Sequence, residues 1–288
     1  FFLIIFSINF VESQERIPLD KLICYGTGTG VSVSPDGKFF AAMVPSGDVS
    51  CDINTPEEDV AVPILIVINL ETMEKKQYSG TSLNSRISSA TFLNNDTLLI
   101  NRSCDRGAGS SGTVDCYTLY GLNVITGKRE ALIQAKQTKS GQGVRYPSLF
   151  DSMPQYPNKI IITMNRMPQF PWRFRDLYWL DLETKQTTKI AEVPSIQNEW
   201  HSQWLIDHAG NARGFVTTHD DGKDREPNST KDGLYTYVYL MDPKSGEYER
   251  MASCKHQEPC FMPLTFDFDN RMLFGCLLYT SDAADDKQ

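Results

Sequence analysis

Cys254, His256 and Cys260 stand together in the stretch CKHQEPC. Thiolate and imidazole are zinc ligands, but zinc sites favour closer Cys or His pairs and a fourth ligand, and none follows at a suitable spacing. A small disulfide loop is the alternative chemistry for the same two cysteines. HDDGKDRE (219–226) resembles a calcium loop only loosely, because its acids do not alternate as an oxygen cage requires. A solvated turn is the simpler reading.

Covalent catalysis by serine would need a G-x-S-x-G turn between a strand and a helix. GTGTG (26–30) has glycine where the serine should be, and GAGSSG (107–112) has the wrong spacing. A phosphate cradle at GTGTG would need a lysine and a following helix, and neither is present. No catalytic residue is therefore assigned. FPWRFRD (170–176) interleaves aromatics with cations, and Trp172, Arg173 and Arg175 are candidates to meet a peptide's carbonyls and carboxylate. Trp200 and His201 are candidates for the same lining, with packing between structural units as the competing role.

Something must position these residues, and the chain shows it as a loose repeat. One element is an apolar run, a tight turn and a second apolar run: VSVSPDGKFFAAMV, ATFLNNDTLLINRS, SLFDSMPQYPNKIIITMN, QWLIDHAGNARGFVTT and PLTFDFDNRMLFG. The turns are rich in Pro, Asp, Asn and Gly, and the flanks in β-branched and aromatic residues, so each reads as a hairpin. A second hairpin follows each of the first four, anchored at Asn69, Asn123, Asp181 and Asp242, which are 54, 58 and 61 residues apart. Two hairpins per unit make four strands per unit. Repeated four-stranded units predict an all-β chain, an incomplete β-propeller of about four blades plus the start of a fifth. A β-sandwich is the competing architecture, but it leaves the near-constant spacing unexplained.

Composition agrees with a packed domain: 40% hydrophobic, 22% charged, net charge −8. An acidic chain without a basic stripe excludes nucleic acid as an expected partner. FFLIIFSINF at the start is too short to span a bilayer and fits the apolar region of a secretory signal, with residues 1–13 removed. A buried first strand is the alternative. Export would place the protein in a periplasmic or extracellular compartment, where cysteines pair. Cys24–Cys51, Cys104–Cys116 and Cys254–Cys260 are the sequence-local pairings, and other connectivities and free thiols stay open. The mature domain is expected over 14–275. The last stretch, CLLYTSDAADDKQ (276–288), departs from the repeat. It resembles translated sequencing-adapter read-through and is expected to be non-native, a native acidic tail being the alternative.

The hairpins VSVSPDGKFFAAMV, ATFLNNDTLLI and WLIDHAGNARGFV, with LIVINLETME between them, resemble the propeller of prolyl oligopeptidase-like serine peptidases. The likeness is to the exported bacterial acylaminoacyl-peptidase and dipeptidyl-peptidase-like branch. Trp204, Asp207, Gly210 and Arg213 match a W-x-x-D-x-x-G-x-x-R line typical of that branch. Tol-Pal-type and other binding propellers share the Ser-Pro-Asp-Gly hairpins. The resemblance implies a parent enzyme with a separate α/β-hydrolase domain carrying Ser, Asp and His, absent from this sequence. It implies peptide substrates admitted through the propeller and acyl transfer without a cofactor. A stand-alone periplasmic binding propeller is the competing function.

Overall fold

A computed structural model of the chain describes residues 30–45, 63–79, 85–104, 117–137, 144–165, 175–196, 199–220, 234–255 and 260–278. All regular structure among them is strand. The first blade is β1 (Ser32–Val33), β2 (Phe39–Pro45), β3 (Pro63–Asn69) and β4 (Lys75–Tyr78). The second is β5 (Ser85–Phe92), β6 (Thr97–Cys104), β7 (Leu119–Asn123) and β8 (Arg129–Ile133). A short hairpin, β9 (Lys136–Gln137) and β10 (Val144–Arg145), precedes the third blade, which is β11 (Pro147–Asp151), β12 (Lys159–Asn165), β13 (Arg175–Asp181) and β14 (Thr187–Ala191). The fourth is β15 (Glu199–Ile206), β16 (Ala212–Asp220), β17 (Leu234–Met241) and β18 (Tyr248–Lys255), and β19 (Cys260–Phe266) pairs with β20 (Leu273–Leu278). Every blade is an antiparallel meander in chain order. The architecture is an incomplete β-propeller: four complete blades and one further hairpin.

Alternation explains how the blades cohere. In β6, Leu98 and Ile100 pack with Leu65 and Val67 of the first blade, while Leu99 between them packs with Ile160 and Ile162 of the third. In β12, Ile161 points the other way, to Trp204 and Phe215 of the fourth blade. In β16, Phe215 faces back and Val216 faces forward, to Phe266 of the last hairpin. Central strands are thus buried on both faces and read as continuous apolar runs, whereas the outer strand β4 alternates with solvent. Each fully buried Leu, Ile or Phe contributes about 1.5–3 kcal/mol. Apolar side chains remain exposed on the last hairpin, at Leu264 and Phe274, and on the first blade, at Val33. β20 continues to Leu278, three residues past the domain boundary expected at Gly275, and pairs there with Cys260.

The four anchors close equivalent turns between the third and fourth strands. Each anchor's carbonyl accepts from the N–H four residues on: Met73, Gly127, Lys185 and Gly246. Those four residues have positive φ. Each anchor's side chain caps the turn: Asn69 Oδ1 accepts from Glu71 and Thr72 N–H, Asn123 Oδ1 from Thr126, Asp181 Oδ1 from Thr184 and Glu183, and Asp242 Oδ1 from Lys244. Asn and Asp therefore do the same work here.

The two aspartates add a pH dependence that the two asparagines lack. The backbone N–H of Thr184 holds the Asp181 carboxyl below its ordinary value of 3.8, and that of Lys244 does the same for Asp242. A folded value below the unfolded one stabilises the fold above the unfolded value and is lost as pH falls through the folded one. Replacing both aspartates, Asp181→Asn with Asp242→Asn, is expected to leave the urea midpoint at pH 7 unchanged. It should also make the acid loss of stability shallower below about pH 4. An acid limb as steep as that of the parent chain would show that these turns do not titrate with folding.

Candidate functional site

The two ends of the propeller differ in construction. Tight turns form one end. They are tied between blades: Asn94 Nδ2 donates to the Pro157 carbonyl (3.0 Å), Gln155 Nε2 to the His208 carbonyl, and His208 N–H to Asn270 Oδ1 (2.8 Å). Turn chemistry accounts for these polar groups. The opposite end, where β2 leads to β3, β6 to β7, β12 to β13 and β16 to β17, carries Tyr117, Arg175, His219 and Tyr235. Function concentrates where connections lie on a rigid scaffold, so this end is the candidate site.

Arg175, the first residue of β13, is its centre. Its Nη2 donates to Ser148 Oγ at 2.8 Å, and its guanidinium stands 5.5 Å over the Tyr146 ring. Tyr146 in turn stacks on Tyr117 at 4.7 Å. Arg175 Nε is buried with no hydrogen-bond partner. Fully buried Asn165 fixes the neighbouring segment, its Oδ1 accepting from Tyr146 N–H (2.6 Å) and its Nδ2 donating to the Val144 carbonyl (2.9 Å). Arg175 is a held cation, so a bound carbonyl or carboxylate would meet it with little ordering cost.

In the next blade, Glu199 accepts from Thr217 Oγ1 (2.6 Å) and from the Tyr239 hydroxyl (3.0 Å). Burial first, then the Glu199 carboxylate, pushes the Tyr239 hydroxyl up to about 12, so it stays a donor. Both Glu199 oxygens are satisfied, which suits holding β15, β16 and β17 together better than abstracting a proton. His219, Tyr235 and Tyr237 cluster beside it, with Arg250 4.8 Å over the Tyr237 ring.

The structure places the expected lining residues unevenly. Arg175 is described fully, and Trp200 and His201 lie on β15 with side chains outside the described residues. Trp172 and Arg173 lie outside the described residues. So do His256 and most of 219–226, where only His219 and Asp220 end β16. Cys254 is buried, while Cys24, Cys51, Cys116 and the side chains of Cys104 and Cys260 lie outside the described residues. Among the described residues no group of three or more His, Cys, Asp or Glu could hold a metal ion, and no helix is long and apolar enough to cross a membrane. The sequence did not point to the Tyr117–Tyr146–Arg175 stack or to Glu199 with its two hydroxyl donors. Tyr146 follows β10, which belongs to no repeat, and Glu199 meets Tyr239 only through the register of three strands.

A groove of 520 Å³ runs along the first strands of the third, fourth and fifth units, lined among others by Asp151, Gln203 and Thr265. It faces the tight-turn end. The W-x-x-D-x-x-G-x-x-R line borders it. Trp204 Nε1 donates to the Arg175 carbonyl (2.7 Å) in the third blade. Asp207 Oδ1 accepts from the N–H groups of Ala209 (3.0 Å) and Asn211 (2.9 Å). Arg213 pairs with Asp207 at 3.4 Å, stands 5.2 Å over Phe266 and donates to the Asn270 carbonyl. The line therefore binds three successive units together.

No family model matches the chain, and no curated protein matches it. Solved structures similar to it include Kuenenia stuttgartiensis hydrazine synthase, at 10% identity over 86% of this chain and 61% of that one, TM-score 0.39. Another is an oligogalacturonate lyase in complex with manganese, at 13% identity, 85% and 61% coverage, TM-score 0.45. A third is a Pyrococcus horikoshii acylaminoacyl peptidase, at 11% identity, 83% and 33% coverage, TM-score 0.38. The chain spans about three fifths of the length of the first two and a third of the last. At these scores the likenesses carry no argument for an activity.

Proposed function

We propose that the chain is the substrate-admitting propeller of an exported serine peptidase of the prolyl oligopeptidase-like type. Its supporting observation is the line Trp204, Asp207, Gly210 and Arg213, in which every residue has a specific contact across or within blades. Arg175 with its aromatic bracket supports it second, as a fixed cation at the end where a peptide would enter. In this reading the propeller selects by size and by entrance lining. Chemistry belongs to a Ser–His–Asp set on a separate hydrolase domain, with the Cys254–Cys260 pairing formed on export.

Sequencing the parent gene beyond the codon for Gly275 tests the reading. G-x-S-x-G followed by Asp and His is expected, and their absence would leave the stand-alone binding propeller. The chain by itself is expected to show no turnover of chromogenic di- and tripeptides above buffer. Turnover that a serine-directed phosphonate abolishes would place a nucleophile within these 288 residues and overturn the reading.

A further inference from the structure

The hairpin β9–β10 is extra to the blade repeat, and it walls a second cavity that shares no lining residue with the groove described above. This cleft of 590 Å³ lies between β8, the outer strand of the second blade, and the face of the third blade. That volume is in the range of small-molecule sites. Its floor is apolar, with Ile133, Pro147 and Met164, and its wall carries Tyr178, Thr187 and the cations Lys136, Arg145 and Lys185.

The cations are the informative part. Lys185 is paired with Glu130 at 2.8 Å. Lys136 and Arg145 have no carboxylate partner among the described residues, although the chain carries eight more negative than positive charges. They also sit directly opposite each other in the hairpin register. Like charges placed opposite across a hairpin destabilise it. Among the described residues Arg145 Nη2 donates to the Tyr178 hydroxyl, at a long 3.4 Å, and Lys189 Nζ stands 5.8 Å over that ring. An uncompensated cation pair beside an apolar floor is complementary to a molecule with the opposite layout.

The geometry points to a binding site for a small amphipathic anion, a carboxylate or phosphate head on an apolar body, with the head between Lys136 and Arg145 and the body on Ile133 and Met164. The site does not depend on the peptidase reading.

Calorimetry on the full chain at low salt tests it with octanoate and octyl phosphate, both below their micellar concentrations. One saturable site is expected for at least one of them, and their ratio identifies the preferred head. Octylammonium and acetate should not bind. The double variant Lys136→Gln with Arg145→Gln should weaken the anion at least about tenfold, as loss of two charge-assisted contacts implies. Thr187→Glu, at an exposed position outside the hairpin, should weaken it similarly while keeping the parent's circular dichroism and urea midpoint. Binding of octylammonium as tight as octanoate, unchanged affinity in Thr187→Glu, or no binding of either anion would overturn the site.

Discussion

Gly210→Ala is expected to destabilise the propeller by about 3 kcal/mol, a sum of two separate costs. The residue has φ of +82°, a region where an L side chain costs about 1–2 kcal/mol. A Cβ there would also come within 2.2 Å of Trp179 Cζ2 and 3.3 Å of Ile161 Cδ1. Both belong to the third blade's packed face, and overpacking of this kind costs about 1–3 kcal/mol. Gly246 separates the two effects. It has φ of +73° and nothing within 4 Å of a built Cβ, so Gly246→Ala should cost only the backbone share of about 1–2 kcal/mol. Urea unfolding followed by circular dichroism reads both. Equal shifts for the two variants would mean that Trp179 moves aside freely and that Gly210 is a turn residue like any other.

The same residue shows what a sequence reader can and cannot see. Ala-Gly-Asn announces a turn, because glycine there supplies positive φ. Nothing local announces that Trp179, thirty-one positions earlier, lies against it. The blades were legible for the first reason. Their hairpins are written in turn residues a few positions apart, and the anchors Asn69, Asn123, Asp181 and Asp242 recur at the spacing of one meander. Four blades and one further hairpin follow from that pattern, and the strands fall where the apolar runs predict them. The candidate site was less legible because its parts meet across blades. Arg175 was visible as a cation among aromatics, but its bracket comes from Tyr146 and Ser148, which are set by the entry into β11. Glu199, Thr217 and Tyr239 belong to three strands, and only the pairing of Glu199 with His219 and of Thr217 with Tyr237 brings them close. The β9–β10 hairpin has no counterpart in the repeat, so a reading built on the repeat passes over it.

Trp204→Ala is expected to cost about 4 kcal/mol, the other large effect, and to reach the candidate site through the Arg175 backbone. Trp204 is almost wholly buried and meets Phe215 edge to face at 5.7 Å. Phe215 stacks on Tyr239 at 4.8 Å and meets Tyr248 edge to face at 4.9 Å. Truncating a buried tryptophan to alanine costs about 3–5 kcal/mol through lost burial and the cavity left behind. The Arg175 carbonyl also loses its donor, which by itself costs about 1 kcal/mol or more. Trp204→Phe divides the two: it keeps most of the packing and removes the N–H, so about 1–2 kcal/mol is expected. The effect extends to the opposite end of the propeller because Trp204 supports both Arg175 and the Glu199 cluster there. Its indole N–H holds the start of β13, where Arg175 stands. Its ring supports Phe215, and through Phe215 the Tyr239 hydroxyl that donates to Glu199. Urea midpoints by circular dichroism separate the variants. A Trp204→Phe variant as stable as the parent would show that the indole N–H contributes nothing to joining the third and fourth blades. The W-x-x-D-x-x-G-x-x-R line would then owe its tryptophan to volume alone.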